Sequence, residues 1–555
     1  MKMSTTISNS DFKDYIKEKY YYVDKTLLVE DIFTKGDQVV LLPRPRRFGK
    51  TLNLSMLKYY FDIKENNRDF FKGLKIEKRE IFEEHINKYP VISLTFKNVN
   101  GMDWKEDSIK LIAEISREYR RHEYLLESNK LKERDKKYFN KVLDEDKDLD
   151  YSISILELSR LLYQHYDQKV VVLLDEYDTP VNKVVDENHY KYLMNFLKNM
   201  IGNTFKGNDY LLKGVITGIL RIAKESMFSG ANNIMVRTIL DDDFSDEFGF
   251  IEGEVLEILK YYNLDSKIED VKEWYNGYTF GRNVIYNPFS IVNYVQEKKL
   301  DSYWVNSGSS SLIEKLIHSS DKDVKNKIEE LIKGNSIEED IEENIVFSEL
   351  NEPKYLWSLL LFSGYLKAIE NDIGMYILSI PNKEIKSVYS KIIVKYFNML
   401  VPNIITFMNK IAKSISNDDI ESFRKELENL LLSNISSYDI SKYKEEVYHI
   451  ITLFSLLRLE YKNEYEVKSN IESGNGRYDI AIIPRDISKI GYIIELKVAK
   501  DEKDLIAKAE EGIKQIEENK YYTELIKKGI KNIKLLGIAF QAKEVYIIDK
   551  KFSTI

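Results

Sequence analysis

VVLLPRPRRFGKTLNLSML, residues 39–57, decides the fold class of the N-terminal half. A β-branched run at 39–42 enters a Pro/Arg-rich turn. Gly49-Lys50-Thr51 then opens a segment with helical apolar spacing, expected to be an amphipathic helix. Strand, turn and helix in that order make an anion site. The first amides of a helix have no partners within it, and the helix dipole adds positive potential there. Gly49 lets the backbone approach phosphate oxygens, Lys50 reaches the β and γ oxygens, and the Thr51 hydroxyl ligates Mg2+. The sequence departs from G-x4-GK[ST] at the first glycine, which is Arg44 here. Arg46 and Arg47 either flank the phosphates or are solvated loop residues. A GKT tripeptide also opens ordinary helices with a surface lysine, so a second element must decide.

That element is VVVLLDEYD at 170–178, an apolar strand ending in Asp175-Glu176. The first acid of such a pair holds Mg2+ and its water shell; the second orients or deprotonates an attacking water. Solvated acids at a strand end are common, but both elements in this order favour a nucleotide site. LLKGVITG at 211–218 places Thr217 at the end of a further strand, where a polar residue senses the γ-phosphate. Arg221 or Arg237 either supplies transition-state charge or pairs with a surface acid. With VISLTF at 91–96, these short runs alternate with helical patterns, as in a buried parallel sheet covered on both faces.

A chain of 555 residues exceeds one ordinary core, so roughly two to four domains are expected. A net charge of −8 excludes a histone-like nucleic-acid binder, so any nucleic-acid surface has to be local. From 441 to the end, 21 Lys/Arg stand against 19 Asp/Glu, which makes that part the less acidic one. Cysteine is absent, which excludes disulfides, thiolate nucleophiles and cysteine ligands. With only six His, a catalytic metal would be a hard ion held by carboxylates. MKMSTTISNS has no apolar core of a signal peptide. VVVLL at 170–174 and LWSLLLF at 356–362 fall far short of the roughly 20 residues of a membrane span. A cytoplasmic protein without a membrane partner is expected.

Near the C-terminus, SNIESGNGRYDIAIIPRDISKIGYIIELKVAK at 469–500 reads as a hairpin of YDIAII and GYIIELKV around PRDISK. Glu495 and Lys497, at i and i+2, share one face of their strand, and Asp479 becomes their neighbour across the hairpin. Two carboxylates can hold Mg2+ or Mn2+, and a lysine beside them can orient a nucleophile and stabilise developing negative charge. Hairpins with scattered charges also produce D…ExK, but here the polar pair interrupts an otherwise apolar strand.

VDKT (23–26), RPRRFGKTL (44–52), LLDEYDTPV (173–181), TGILRIAKESMFSGANN (217–233), FGF (248–250), WYNGY (274–278) and YNPFS (286–290) resemble the bacterial and fungal AAA-ATPase-like family, over most of residues 10–310. The family shares the degenerate first glycine. SNIESGNGRYDI with IIELKV resembles the PD-(D/E)xK nuclease superfamily, as do the helix holding Gln515 and the strand GIAFQAKEVYII. The resemblance implies an α/β chain: a P-loop parallel-sheet ATPase over 1–300, a mainly helical middle over 301–435 compatible with a winged helix, and a restriction-endonuclease-like domain over 436–555. It implies ATP bound by Arg46, Arg47, Gly49, Lys50, Thr51, Asp175 and Thr217, with catalysis by Glu176 and Arg221. It implies nucleic-acid cleavage by Asp479, Glu495 and Lys497, with Mg2+ or Mn2+ on Thr51 and Asp175 and on Asp479 and Glu495. It also puts Asp24 and Lys25 near the nucleotide, Glu472 and Arg477 beside the second metal, and Glu445 or Glu446 as a further acid or a solvated charge. Gln515 either projects into the cleavage site or packs, and His449 reads as a packing residue. The expected partner is nucleic acid, DNA ahead of RNA, and self-association into a homo-oligomer is compatible. The alternative is a nucleotide-controlled switch or scaffold that binds nucleic acid or protein without cutting.

Overall fold

Strands buried on both faces need no polar side, and two of the N-terminal runs are of this kind. Every residue of Val39–Pro43 (β1) and Val170–Asp175 (β3) is buried. Together with Val91–Thr95 (β2), Leu211–Gly218 (β4) and Ile234–Val236 (β5) they form a wholly parallel sheet in the order β2-β3-β4-β1-β5. Helices Trp104–Arg121, Ser154–Tyr166 and Glu187–Phe205 bury Leu111, Ile115, Leu158, Leu162, Leu197 and Ile201 in a core with Ile92, Leu94, Val172 and Leu174. The computed structural model describes residues 3–6, 9–35, 37–181, 187–221, 233–304, 322–344, 355–389, 404–434, 445–461 and 464–553. Most of the 217–233 segment and the side chains of Glu445, Glu446 and Glu472 lie outside the described residues.

Helix Lys50–Phe61 departs from expectation. It is not amphipathic, since none of its residues is exposed. The sheet flanks it, the helix Phe12–Lys17 covers it, and the Tyr60 ring packs on Phe71 and Phe82.

The chain forms two compact units, one of residues 1–316 and 337–385, the other of 317–336 and 386–555. The 301–435 stretch therefore contributes to both. The first unit holds two further antiparallel sheets. One comprises Phe250–Ile251 (β6), Tyr278–Phe280 (β7) and Asn283–Tyr286 (β8), in the order β6-β8-β7. The other comprises Ile337–Glu339 (β9), Lys367–Glu370 (β10) and Tyr376–Ser379 (β11), in the order β10-β11-β9.

The second unit carries Tyr465–Ser473 (β12), Gly476–Pro484 (β13), Gly491–Val498 (β14), Asn532–Gln541 (β15) and Glu544–Ser553 (β16), paired in chain order. All pairs are antiparallel except β14 with β15, and helix Leu505–Asn519 supplies the crossover a parallel pair needs. That helix lies directly on the strands: a Cβ on Gly537 would sit 2.1 Å from the Ala509 carbonyl oxygen. Among the described residues no helix is long and apolar enough to cross a membrane.

Candidate active sites

Because β4 lies between β1 and β3, three strand ends converge, with Pro43 beside Gly218 and Leu174 beside Ile216. One carboxylate ties them together. Thr51 Oγ1 donates to Asp175 Oδ2 at 2.7 Å, and Thr217 Oγ1 donates to Asp175 Oδ1 at 2.6 Å. Lys50, only 4% exposed, donates to the Arg44 and Pro45 carbonyls at 3.1 Å each and lies 3.8 Å from Glu176 Oε1. Gly49, at φ +87°, caps the helix in the left-handed region, and Glu176 also sits there at φ +54°. Holding a non-glycine residue in that region costs on the order of 1 kcal/mol and places the side chain where an ordinary strand end would not.

The two acids are pushed apart electrostatically. Burial, and then the Glu176 charge, raise Asp175 above the usual carboxylate range, partly offset by the two threonine hydroxyls. Burial also pushes Glu176 up, but Lys50, the Thr179 hydroxyl, Arg46 and Lys97 outweigh it and hold the group below its ordinary value. Glu176 is thus ionised and able to accept a proton. Arg46 acts here through its charge, while the Arg47 guanidinium stacks 4.7 Å over the Phe289 ring. Arg221 ion-pairs with Glu343 at 3.2 Å, and Arg237 bonds Asp243 at 3.1 Å, so both arginines are engaged by acids. Lys25 pairs with Glu254 at 2.7 Å, and Asp24 bonds Thr26 and the Lys75 amide.

Arg44 explains how the loop forms without its first glycine. The fully buried guanidinium donates to the carbonyls of Pro43 (2.8 Å), Arg237 (2.8 Å) and Phe244 (2.9 Å), and it lies 5.1 Å from the Phe248 ring centre and 5.6 Å from that of Phe280. Burial lowers it to about 9, against a small opposing pull from Asp241. Arg44→Ala takes the guanidinium away from three carbonyls and leaves a cavity. We expect it to cost about 3–5 kcal/mol, read as a lower denaturation midpoint.

In the second unit, β13 and β14 pair Ile480 with Ile494, Ala481 with Ile493 and Ile482 with Tyr492. One step further along this register Asp479 faces Glu495, on the same side of the sheet. The ladder ends there, and Asp479 Oδ2 takes the Leu496 amide at 2.7 Å. Glu495 is 2% exposed; its Oε1 accepts from Lys497 Nζ at 3.0 Å and from Gln515 Nε2, while its Oε2 is buried with no partner among the described residues. Burial and then the Asp479 charge raise Glu495, and Lys497 opposes them. A buried carboxylate oxygen left open beside a second carboxylate fits a hard divalent cation.

Residues 6–228 match the family model described as predicted AAA-ATPase, and residues 443–550 match that of the PD-(D/E)XK nuclease superfamily. The chain carries a domain of each family. A protein named "Uncharacterized protein in vnfD 5'region", from Azotobacter chroococcum mcd 1, is 25% identical over 301 residues, 54% of this chain and 53% of the relative. The chain thus spans about half the length of the curated relative it matches.

In the nuclease-superfamily domain His449, expected as a packing residue, is buried. His449 Nε2 lies 3.2 Å from the Asp479 carbonyl and 3.0 Å from Ser469 Oγ, so this histidine braces the strand that carries Asp479. Gln515 does reach the site, because Gly512 and Gly537 let its helix lie against the strands beside Glu495. Arg477 is exposed.

In the first unit, the aromatic motifs beyond residue 240 pack on the turn between β1 and helix Lys50–Phe61. The Gly249 amide donates to the Phe48 carbonyl at 3.1 Å, and the Phe48 ring packs on Tyr278 and Phe280. Trp304 Nε1 donates to the Arg46 carbonyl at 3.0 Å, and the buried Glu384 accepts from the Trp304 amide at 2.7 Å and from Ser290 Oγ at 2.8 Å. No sequence pattern announced Trp304 or Glu384. Burial raises Glu384 to about 8 from an ordinary 4.5. The folded chain therefore keeps that proton over a range in which the unfolded chain releases it, and stability falls as pH climbs from about 4.5 toward about 8. Glu384→Gln removes this dependence, so its melting temperature relative to wild type is expected to rise steadily from pH 5 to pH 8.

Proposed function

We propose that the chain hydrolyses ATP in its N-terminal domain and cuts nucleic acid, DNA in preference to RNA, in its C-terminal domain. The observation that carries the cleavage reading is the facing pair Asp479 and Glu495, with one open buried oxygen and Lys497 at 3.0 Å. For ATP, the support is the grouping of Lys50, Thr51, Asp175, Glu176 and Thr217 at three strand ends.

Helix amides after Gly49 and the Lys50 ammonium bind the triphosphate, and Lys50 exchanges its two loop carbonyls for phosphate oxygens. Thr51 donates a hydrogen bond to Asp175 through its hydroxyl and would keep the oxygen lone pairs free to hold Mg2+, with the Asp175 carboxylate beside it. Glu176 takes a proton from the attacking water. In the C-terminal domain Asp479 and Glu495 would hold Mg2+ or Mn2+, which supplies charge neutralisation at the scissile phosphate and a more acidic water. Lys497 orients the nucleophile and stabilises the charge that develops.

Purified protein incubated with plasmid, linear and single-stranded DNA and with RNA, with and without ATP, tests both halves. Cleavage abolished by EDTA, together with ATP turnover, is the expected result. Turnover without cleavage of any substrate would favour the second reading, a nucleotide-controlled switch, to which the nearly balanced charge of the C-terminal part also lends support.

A further inference from the structure

The chain passes between its two compact units after residues 316, 336 and 385. Trp304 is the last described residue before the first passage, and Glu384 stands just ahead of the third. These two residues meet, through the Trp304 amide and Glu384 Oε1 at 2.7 Å. From there the indole reaches the phosphate loop at the Arg46 carbonyl. Both side chains are buried, Trp304 packs on the Tyr365 ring at 5.1 Å, and a Cβ on Gly364 would lie 3.1 Å from Pro45 Cβ. Glu384 also holds Ser290, whose amide is taken by the cap residue Asn287 of helix Pro288–Glu297. Glu384, one residue ahead of the third passage, is thus tied through Trp304 to the loop by two hydrogen bonds.

We propose that Trp304 and Glu384 form a coupling node that transmits the nucleotide state of the phosphate loop to the chain entering the nuclease-bearing unit. The inference rests on the ATP-binding reading above. Capturing a phosphate draws Lys50 off the Arg44 and Pro45 carbonyls, and the next carbonyl in the chain is the one Trp304 holds. Close-packed surroundings pass such a shift on as a change of arrangement rather than absorbing it. Coupling between sites built this way typically amounts to roughly 5- to 150-fold.

The test is amide hydrogen exchange on the full chain, with and without a non-hydrolysable ATP analogue and Mg2+, alongside a titration of analogue binding. In wild type the analogue is expected to change exchange in peptides from 445–553. Trp304→Phe keeps an aromatic ring and loses the donor; it should bind the analogue within about threefold of wild type yet lose most of that distal change. Glu384→Ala should do the same. Glu384→Gln should restore the response, since an amide accepts from the Trp304 amide and donates to Ser290 Oγ. Should Glu384→Ala fail to fold, Ser290→Ala, which removes one hydroxyl, takes its place with the same expectation. Full distal response in Trp304→Phe and in the Glu384 or Ser290 variant overturns the node, as does a wild type that binds the analogue without any distal change. A wild type that binds no analogue overturns the ATP reading itself, and the node with it.

Discussion

Replacing Glu176 by Gln is expected to cut ATP turnover by about 10²–10⁴-fold, the usual contribution of a positioned general base, while leaving nucleotide affinity within a few fold. The two effects separate because of how the site is wired. In the proposed reading Lys50, Thr51 and the helix amides grip the phosphates; Thr51 is fixed by Asp175, and Lys50, although 3.8 Å from Glu176, is held in place by hydrogen bonds to the Arg44 and Pro45 carbonyls. Gln keeps the shape at φ +54° and can still accept from Thr179, which bonds Glu176 at 2.9 Å. Only the proton-accepting capacity is lost. Turnover is read as phosphate release and affinity with a fluorescent nucleotide. Unchanged turnover in Glu176→Gln would remove the general-base role; lost binding would make Glu176 a structural residue of the loop.

Lys497→Ala is expected to slow strand cleavage by about 10²–10³-fold, as removal of one charge-stabilising donor does in other sites. Lys497 stands 3.0 Å from Glu495 on the same strand face, with Glu495 deeper than itself. The variant keeps both carboxylates and Gln515, so Mn2+ binding followed by calorimetry should survive. Glu495→Gln, by contrast, should lose binding and cleavage together. A Lys497→Ala protein that cuts DNA and RNA as fast as wild type, in Mg2+ or Mn2+, would sink the cleavage assignment.

Much of this architecture was legible in the chain because it depends on local pattern. β1 and β3 are buried on both faces and read as unbroken apolar runs. A hairpin fixes its own register, so the 479/495 pairing follows from two strands and one turn. What could not be read depends on distant partners. Helix Lys50–Phe61 is covered by the helix Phe12–Lys17 and by Phe71 and Phe82, and its own sequence carries no record of them. The Arg44 brace closes on carbonyls of 237 and 244, and Trp304 reaches Arg46 from 258 residues away. β9 and β10, three and four residues long, are too short for a period of two to separate from a helical one. A charged residue exactly where a glycine belongs, beside an apolar strand, was the one available hint of Arg44.

Three carbonyls fastened to a rigid cation leave the turn after β1 little freedom to forfeit when an anion arrives. Capture there should therefore carry a small entropic penalty, because the ordering was completed when the protein folded. A glycine in that place would have left the ordering to be done at each encounter.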